Sequence, residues 1–122
     1  MPKTSINPAL QKHVLASLKT QRSAIKSQLH EDDNYRRLTQ EQSIYQMSER
    51  DRKSINNVLR ITINKVTNIP FDELETAVNG LHATTTIGIR CTTETDLFDV
   101  FNYLDIDDLM EQVDNYVAEQ AM

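Results

Sequence analysis

Apolar side chains between Ser48 and Ile69 recur at the spacing of a helix. Turned by about 100° per residue, Ile55, Val58, Leu59, Thr62, Ile63, Val66 and Ile69 fall within an arc about 140° wide, and only Ile61 lies outside it. Ser48 followed by Asp51 makes a capping-box-like start. Pro70 removes a donor and pushes Ile69 out of helical geometry, so the pattern predicts a stop near Asn68. The competing strand pattern, Leu59, Ile61 and Ile63 alternating with polar residues, fails at Lys65-Val66. The rest of the chain is expected to pack on this helix.

Before it, Asn7-Pro8 opens a helix predicted from Pro8 to Leu29, with Leu10, Val14, Leu18, Ile25 and Leu29 on one face. Glu31-Asp32-Asp33-Asn34 lacks apolar residues and is expected to be a connection. Thr39 and Gln42 then cap a short helix carrying Leu38, Ile44, Tyr45 and Met47, with a kink or tight turn near Met47-Ser48. After Pro70, Phe71, Leu74, Val78 and Leu81 mark another helix, which Asn79-Gly80 should end in a left-handed turn. Two acidic helices close the chain. Thr93 with Asp96 caps the first, whose apolar arc is Leu97, Phe98, Val100, Phe101 and Leu104; Asp105 with Asp108 caps the second, with Ile106, Leu109, Met110, Val113, Tyr116 and Val117.

Residues 84–91 depart from this pattern: Thr85, Ile87, Ile89 and Cys91 alternate with Thr84, Thr86, Gly88 and Arg90 as a half-buried strand would. A single strand cannot satisfy its own backbone. Its partner is residues 58–64, or the segment is an extended loop, or it pairs with its copy in a homodimer. The expected fold class is therefore mostly α, a compact bundle of about five to six helices with at most one short β-strand at about residues 84–91, in a single domain over residues 1–122.

Composition narrows the chemistry. With 122 residues, 39% of them apolar and 25% charged, the chain has the make-up of one globular domain. It has no apolar run near the roughly 20 residues of a membrane span. The N-terminus lacks a signal-peptide core and Cys91 is the sole cysteine, so a cytoplasmic setting with no membrane is expected. Gly80 and Gly88 are the only glycines, which excludes the P-loop, the dinucleotide fingerprint and the nucleophile elbow. His13, His30, His82 and Cys91 have no zinc-site spacing, and Asp105, Asp107, Asp108 and Glu111 lack the glycine of a calcium loop. No catalytic residue, cofactor or metal ligand is singled out, and a non-enzymatic protein is expected.

Charge is the strongest remaining signal. Residues 1–70 hold twelve Lys and Arg against six acids, +6, whereas residues 71–122 hold Arg90 against twelve acids, −11. Lys12, Lys19 and Lys26 repeat every seven residues opposite the first apolar stripe, with Arg22 beside them. Asp107, Asp108, Glu111, Asp114 and Glu119 gather on the outer side of the last helix at mutually repulsive spacing. Three arrangements follow. The basic and acidic helices lie side by side and compensate each other. Alternatively, the acidic face docks on a basic surface of a protein partner, of the kind that otherwise holds nucleic acid, as a small adaptor, inhibitor or regulator would. In the third, the Lys12, Lys19, Arg22 and Lys26 ridge binds nucleic acid, aided by Arg36, Arg37, Arg50, Arg52 and Lys53, although neither helix-turn-helix spacing nor stacking aromatics accompany it. The second is the functional expectation and the third its alternative.

Overall fold

Ser48 starts the central helix as its chemistry requires. Its Oγ accepts a hydrogen bond from the Asp51 N–H at 3.2 Å, satisfying one of the amides that a helix start leaves without a partner. The helix runs from Glu49 to Thr67 and stops at Asn68, which adopts a left-handed φ of 64° and donates its N–H to the Asn64 carbonyl at 2.8 Å. Ile55, Leu59 and Ile63 are fully buried and Ile61 is 57% exposed, so the apolar arc faces the core as the periodicity predicts.

The computed structural model describes residues 6–87 and 96–121. Among these residues it contains α1 (Pro8–Thr20), α2 (Arg22–His30), α3 (Asp33–Glu41), α4 (Glu49–Thr67), α5 (Phe71–Thr84), α6 (Asp96–Asn102) and α7 (Ile106–Gln120), with a 3-10 turn at Ile44–Gln46. The fold is a helical bundle, as expected. α1 packs against α5 and α7, α2 against α3 and α4, and α6 against α4 and α5. Their buried apolar side chains form one cluster, in which Leu18, Ile25, Leu59, Leu74 and Phe101 are each at most 1% exposed. Full burial of one such side chain stabilises by about 1.5–3 kcal/mol before the entropy of ordering it is counted.

Several local expectations are corrected. The first helix is two, because the chain breaks at Gln21 (φ −98°, ψ 10°) within the polar interval between Leu18 and Ile25. Neither glycine nor proline causes the break. It lets α1 and α2 follow different neighbours. The connection expected at residues 31–34 is shorter, Glu31 and Asp32 alone: Asp33 and Asn34 are helical, and the Asp32 carboxylate accepts from the Tyr35 N–H at 2.8 Å and caps α3. Thr39 lies inside α3, its hydroxyl donating to the Tyr35 carbonyl at 2.8 Å, and Ile44 falls in the 3-10 turn capped by Ser43. In place of the kink or tight turn expected near Met47-Ser48, both residues are extended.

α5 does not end at Asn79-Gly80. It continues to Thr84, and Gly80 serves close packing rather than a turn, since a Cβ there would stand 2.5 Å from Gln11 Nε2 of α1. The Thr84 hydroxyl donates to Gln11 Oε1 at 3.1 Å beside that contact. Thr84 is thus helical, and no strand occurs among the described residues. Thr85 is extended, Ile87 is buried, and residues 88–91 of the expected strand, with its homodimer pairing, lie outside the described residues together with Thr93. α6 is buried on more than one side: Leu97, Phe98, Val100 and Phe101 are at most 6% exposed, and Asp99 between them is 1% exposed. In α7, Leu109 and Val113 hold the core as expected, but Val117 is 42% exposed.

Candidate functional site

α1 and α7 run antiparallel, and their charges match in register. Lys12 Nζ stands 2.6 Å from Asp114 Oδ1 and Lys19 Nζ stands 2.5 Å from Asp107 Oδ1. Seven residues forward on α1 correspond to seven residues back on α7, close to two helical turns on each. All four side chains keep 41–65% of their surface exposed, so each pair contributes roughly 0–1 kcal/mol. The acidic set and the basic ridge are therefore brought together, in part, against each other.

The five acids of α7 divide by direction. Asp107 and Asp114 occupy the flank toward α1. Asp108, Glu111 and Glu119 occupy the outer face and are exposed, and none of them forms an ion pair among the described residues. Asp108 also receives a hydrogen bond from Gln112 Nε2 at 2.9 Å, and Gln112 Oε1 in turn accepts the Thr86 N–H at 2.9 Å. Asp105 accepts the Asp108 N–H at 3.2 Å, the cap its spacing predicts. Asp107 and Asp108 sit in the first turn, where the helix dipole favours anions.

The four basic residues do not form one surface. Lys12 and Lys19 belong to the seam with α7. The Arg22 guanidinium lies 5.6 Å from the ring centre of Phe101, a cation–π contact with α6. Lys26, carried off the seam by the break at Gln21, stands at the mouth of a cavity.

That cavity, about 660 Å³, opens between α2, α3, the 3-10 turn and α6, and the sequence alone does not reveal it. Its lining is mostly polar, with Thr39, Gln40, Gln42 and Ser43 among it; Leu29, Ile44, Phe98 and Phe101 border it but are each at most 5% exposed, and Tyr103, 63% exposed, packs edge-on against Phe98 with ring centres 5.7 Å apart. Tyr35 and Asn102 supply polar groups inside it. Burial pushes the Tyr35 hydroxyl above its ordinary pKa of 10.0, and the hydrogen bond with Asn102 opposes that shift. Arg36, also at the cavity, donates to the His30 carbonyl at 2.5 Å and to Asp33 Oδ1 at 2.6 Å. The available signal was compositional: Tyr35, Phe98, Phe101 and Tyr103 are four of only seven aromatic residues, but they come from distant stretches.

A second feature absent from the sequence reasoning is a buried carboxylate. Asp99 Oδ1 accepts a hydrogen bond from the Tyr45 hydroxyl, while Asp99 Oδ2 has no hydrogen-bond partner among the described residues. Among the described residues no group of three or more His, Cys, Asp or Glu side chains is placed to hold a metal ion, and no helix is long and apolar enough to cross a membrane. Cys91 lies outside the described residues. The chain matches no protein-family model, no curated protein and no solved structure.

Proposed function

We propose that this protein acts by binding rather than by catalysis, docking through α7 on a basic surface of a protein partner in the manner of a small adaptor, inhibitor or regulator. One observation carries the reading: Asp108, Glu111 and Glu119 project from a helix anchored by Leu109 and Val113 and have no cation of the described chain against them. Like charges held at helical spacing repel, and a basic partner relieves that repulsion. Asp107 and Asp114 can join the contact, because exposed pairs such as theirs exchange partners at small cost. A partner surface that otherwise receives phosphates fits this face, with carboxylates in their place.

The nucleic-acid alternative is weaker on the same geometry. Lys12 and Lys19 face carboxylates and Arg22 faces Phe101, which leaves Lys26 as the one member of that set without such an engagement.

The test is affinity capture from nuclease-treated lysate at low and moderate salt, with wild type beside the Glu111→Lys/Glu119→Lys variant, which leaves the Asp108 contacts of the first turn in place. A stoichiometric protein partner that weakens with salt and is lost on charge reversal, at unchanged melting temperature, is the expected result. Partners held equally by the variant, or recovery only of nucleic acid, would remove the proposal.

A further inference from the structure

Asn79 is the only asparagine of the chain that is followed by glycine, and that order carries chemistry of its own. The main-chain nitrogen after an asparagine can close a five-membered ring on the side-chain amide carbon, and the side chain of the following residue ordinarily obstructs the approach. Gly80 has none. Asn79 is exposed and its side chain makes no hydrogen bond among the described residues, so solvent and neighbours leave its amide free to react.

Two features of the fold act on this pair. α5 runs through it without interruption, from Phe71 to Thr84. Helical geometry, with ψ of about −42°, turns the Gly80 nitrogen away from the Asn79 amide carbon and engages its N–H with the carbonyl four residues back, so ring closure requires α5 to open locally. Glycine is also required at this position, because a Cβ would stand 2.5 Å from Gln11 Nε2 of α1, a side chain 1% exposed. The close approach of α1 and α5 therefore excludes the larger residues that would slow the reaction.

We propose that Asn79-Gly80 is a self-modification site that α5 keeps closed and that local opening of α5 releases. The Gly80 nitrogen, losing its proton to solvent, bonds to Asn79 Cγ; the bond from Cγ to the side-chain nitrogen breaks, and that nitrogen leaves as ammonia. Water then opens the succinimide at either carbonyl, leaving aspartate or isoaspartate at position 79, with no oxidant or reductant involved. Aspartate puts a negative charge four residues from Glu75, a spacing at which like charges on a helix repel. Isoaspartate adds a carbon to the main chain immediately before Gly80, where the space against Gln11 is already filled. α5 then cannot re-form on α1 in the same register, and a transient opening becomes permanent.

Mass spectrometry of the full chain, incubated at mildly alkaline pH either folded or in denaturing urea, tests the site. In urea, Asn79 is expected to convert at least about tenfold faster than Asn57, Asn102 and Asn115, which precede Val58, Tyr103 and Tyr116. In the folded protein it should convert at least about tenfold more slowly than in urea, equivalent to about 1.4 kcal/mol of opening free energy. Leu81→Ala, which removes a buried anchor of α5, should narrow that ratio by at least about threefold while a melting curve shows the variant folded, and urea below the unfolding midpoint should do the same to wild type. The purified isoaspartate form is expected to unfold at a lower urea midpoint than the unmodified chain. Equal rates in the folded and denatured protein, conversion of Asn79 in urea no faster than that of the other three asparagines, or an isoaspartate form as stable as the unmodified chain would overturn the assignment.

Discussion

Lys19 Nζ and Asp107 Oδ1 meet at 2.5 Å although 88 residues of chain separate them. With Lys12 and Asp114 two turns away, this contact puts α1, a helix with no acidic residue, along the most acidic helix of the chain. Part of the charge asymmetry between the two halves is thus neutralised within the fold, and the acids of α7 that point away from α1 are among those left without a cation from α1.

Reversing that pair tests the register. Lys19→Asp should lower stability by roughly 0.5–1 kcal/mol at low salt, and adding Asp107→Lys should recover most of the loss. Urea midpoints of the two single variants and the double variant measure the coupling. A double variant as unstable as the two single losses added together would mean that the side chains do not interact in solution.

Gly80 and Gln11 make a second, opposite test. Alanine is the better helix former by about 1 kcal/mol, but at position 80 its Cβ would collide with a Gln11 amide that is 1% exposed. Displacing that amide also disturbs its hydrogen bond with Thr84, so Gly80→Ala should cost about 1–2 kcal/mol net. In a Gln11→Ala background the collision is gone, and the same change should stabilise. Chemical denaturation of all four proteins gives the sign directly; a stabilising Gly80→Ala in the wild-type background would contradict the close approach of α1 and α5.

The raised pKa of Tyr35 predicts an alkaline limit. Burial favours the neutral phenol in the folded state, so the folded protein holds this proton more tightly than the unfolded chain. Its contribution is complete below the ordinary value of 10.0 and is lost as pH rises through the raised folded value. Tyr35→Phe should therefore flatten the fall in urea midpoint above pH about 10 without changing its slope between pH 7 and about 9. Parallel curves for the two proteins would show that Tyr35 does not titrate differently in the two states.

Of the candidate site, the chemistry of single residues was legible and the grouping was not. The spacing of Lys12 and Lys19 and the matching spacing of Asp107 and Asp114 were visible, yet whether they would face each other depended on how α1 and α7 pack. Lys26 belonged to the same row by periodicity, and the break at Gln21 moved it to the cavity instead. Gly80 followed by a stop was the reasonable local reading of Asn79-Gly80, but glycine answers equally to a turn and to a close neighbour, and here the neighbour was Gln11.

By itself the sequence determined the helical class, the boundaries of α4 and the caps at Ser48 and Asp105, because these follow from interactions within one or two turns of chain. It also determined which face of α4 is buried, since periodicity alone separates Leu59 from Ile61. Only the tertiary structure decided the split of the first helix, the extension of α5 to Thr84, the burial of Asp99 and the cavity beside Phe98 and Phe101. Each of these arises where side chains distant in sequence compete for the same space, and that competition is settled by packing density and hydrogen-bond satisfaction across the whole core rather than by local preference.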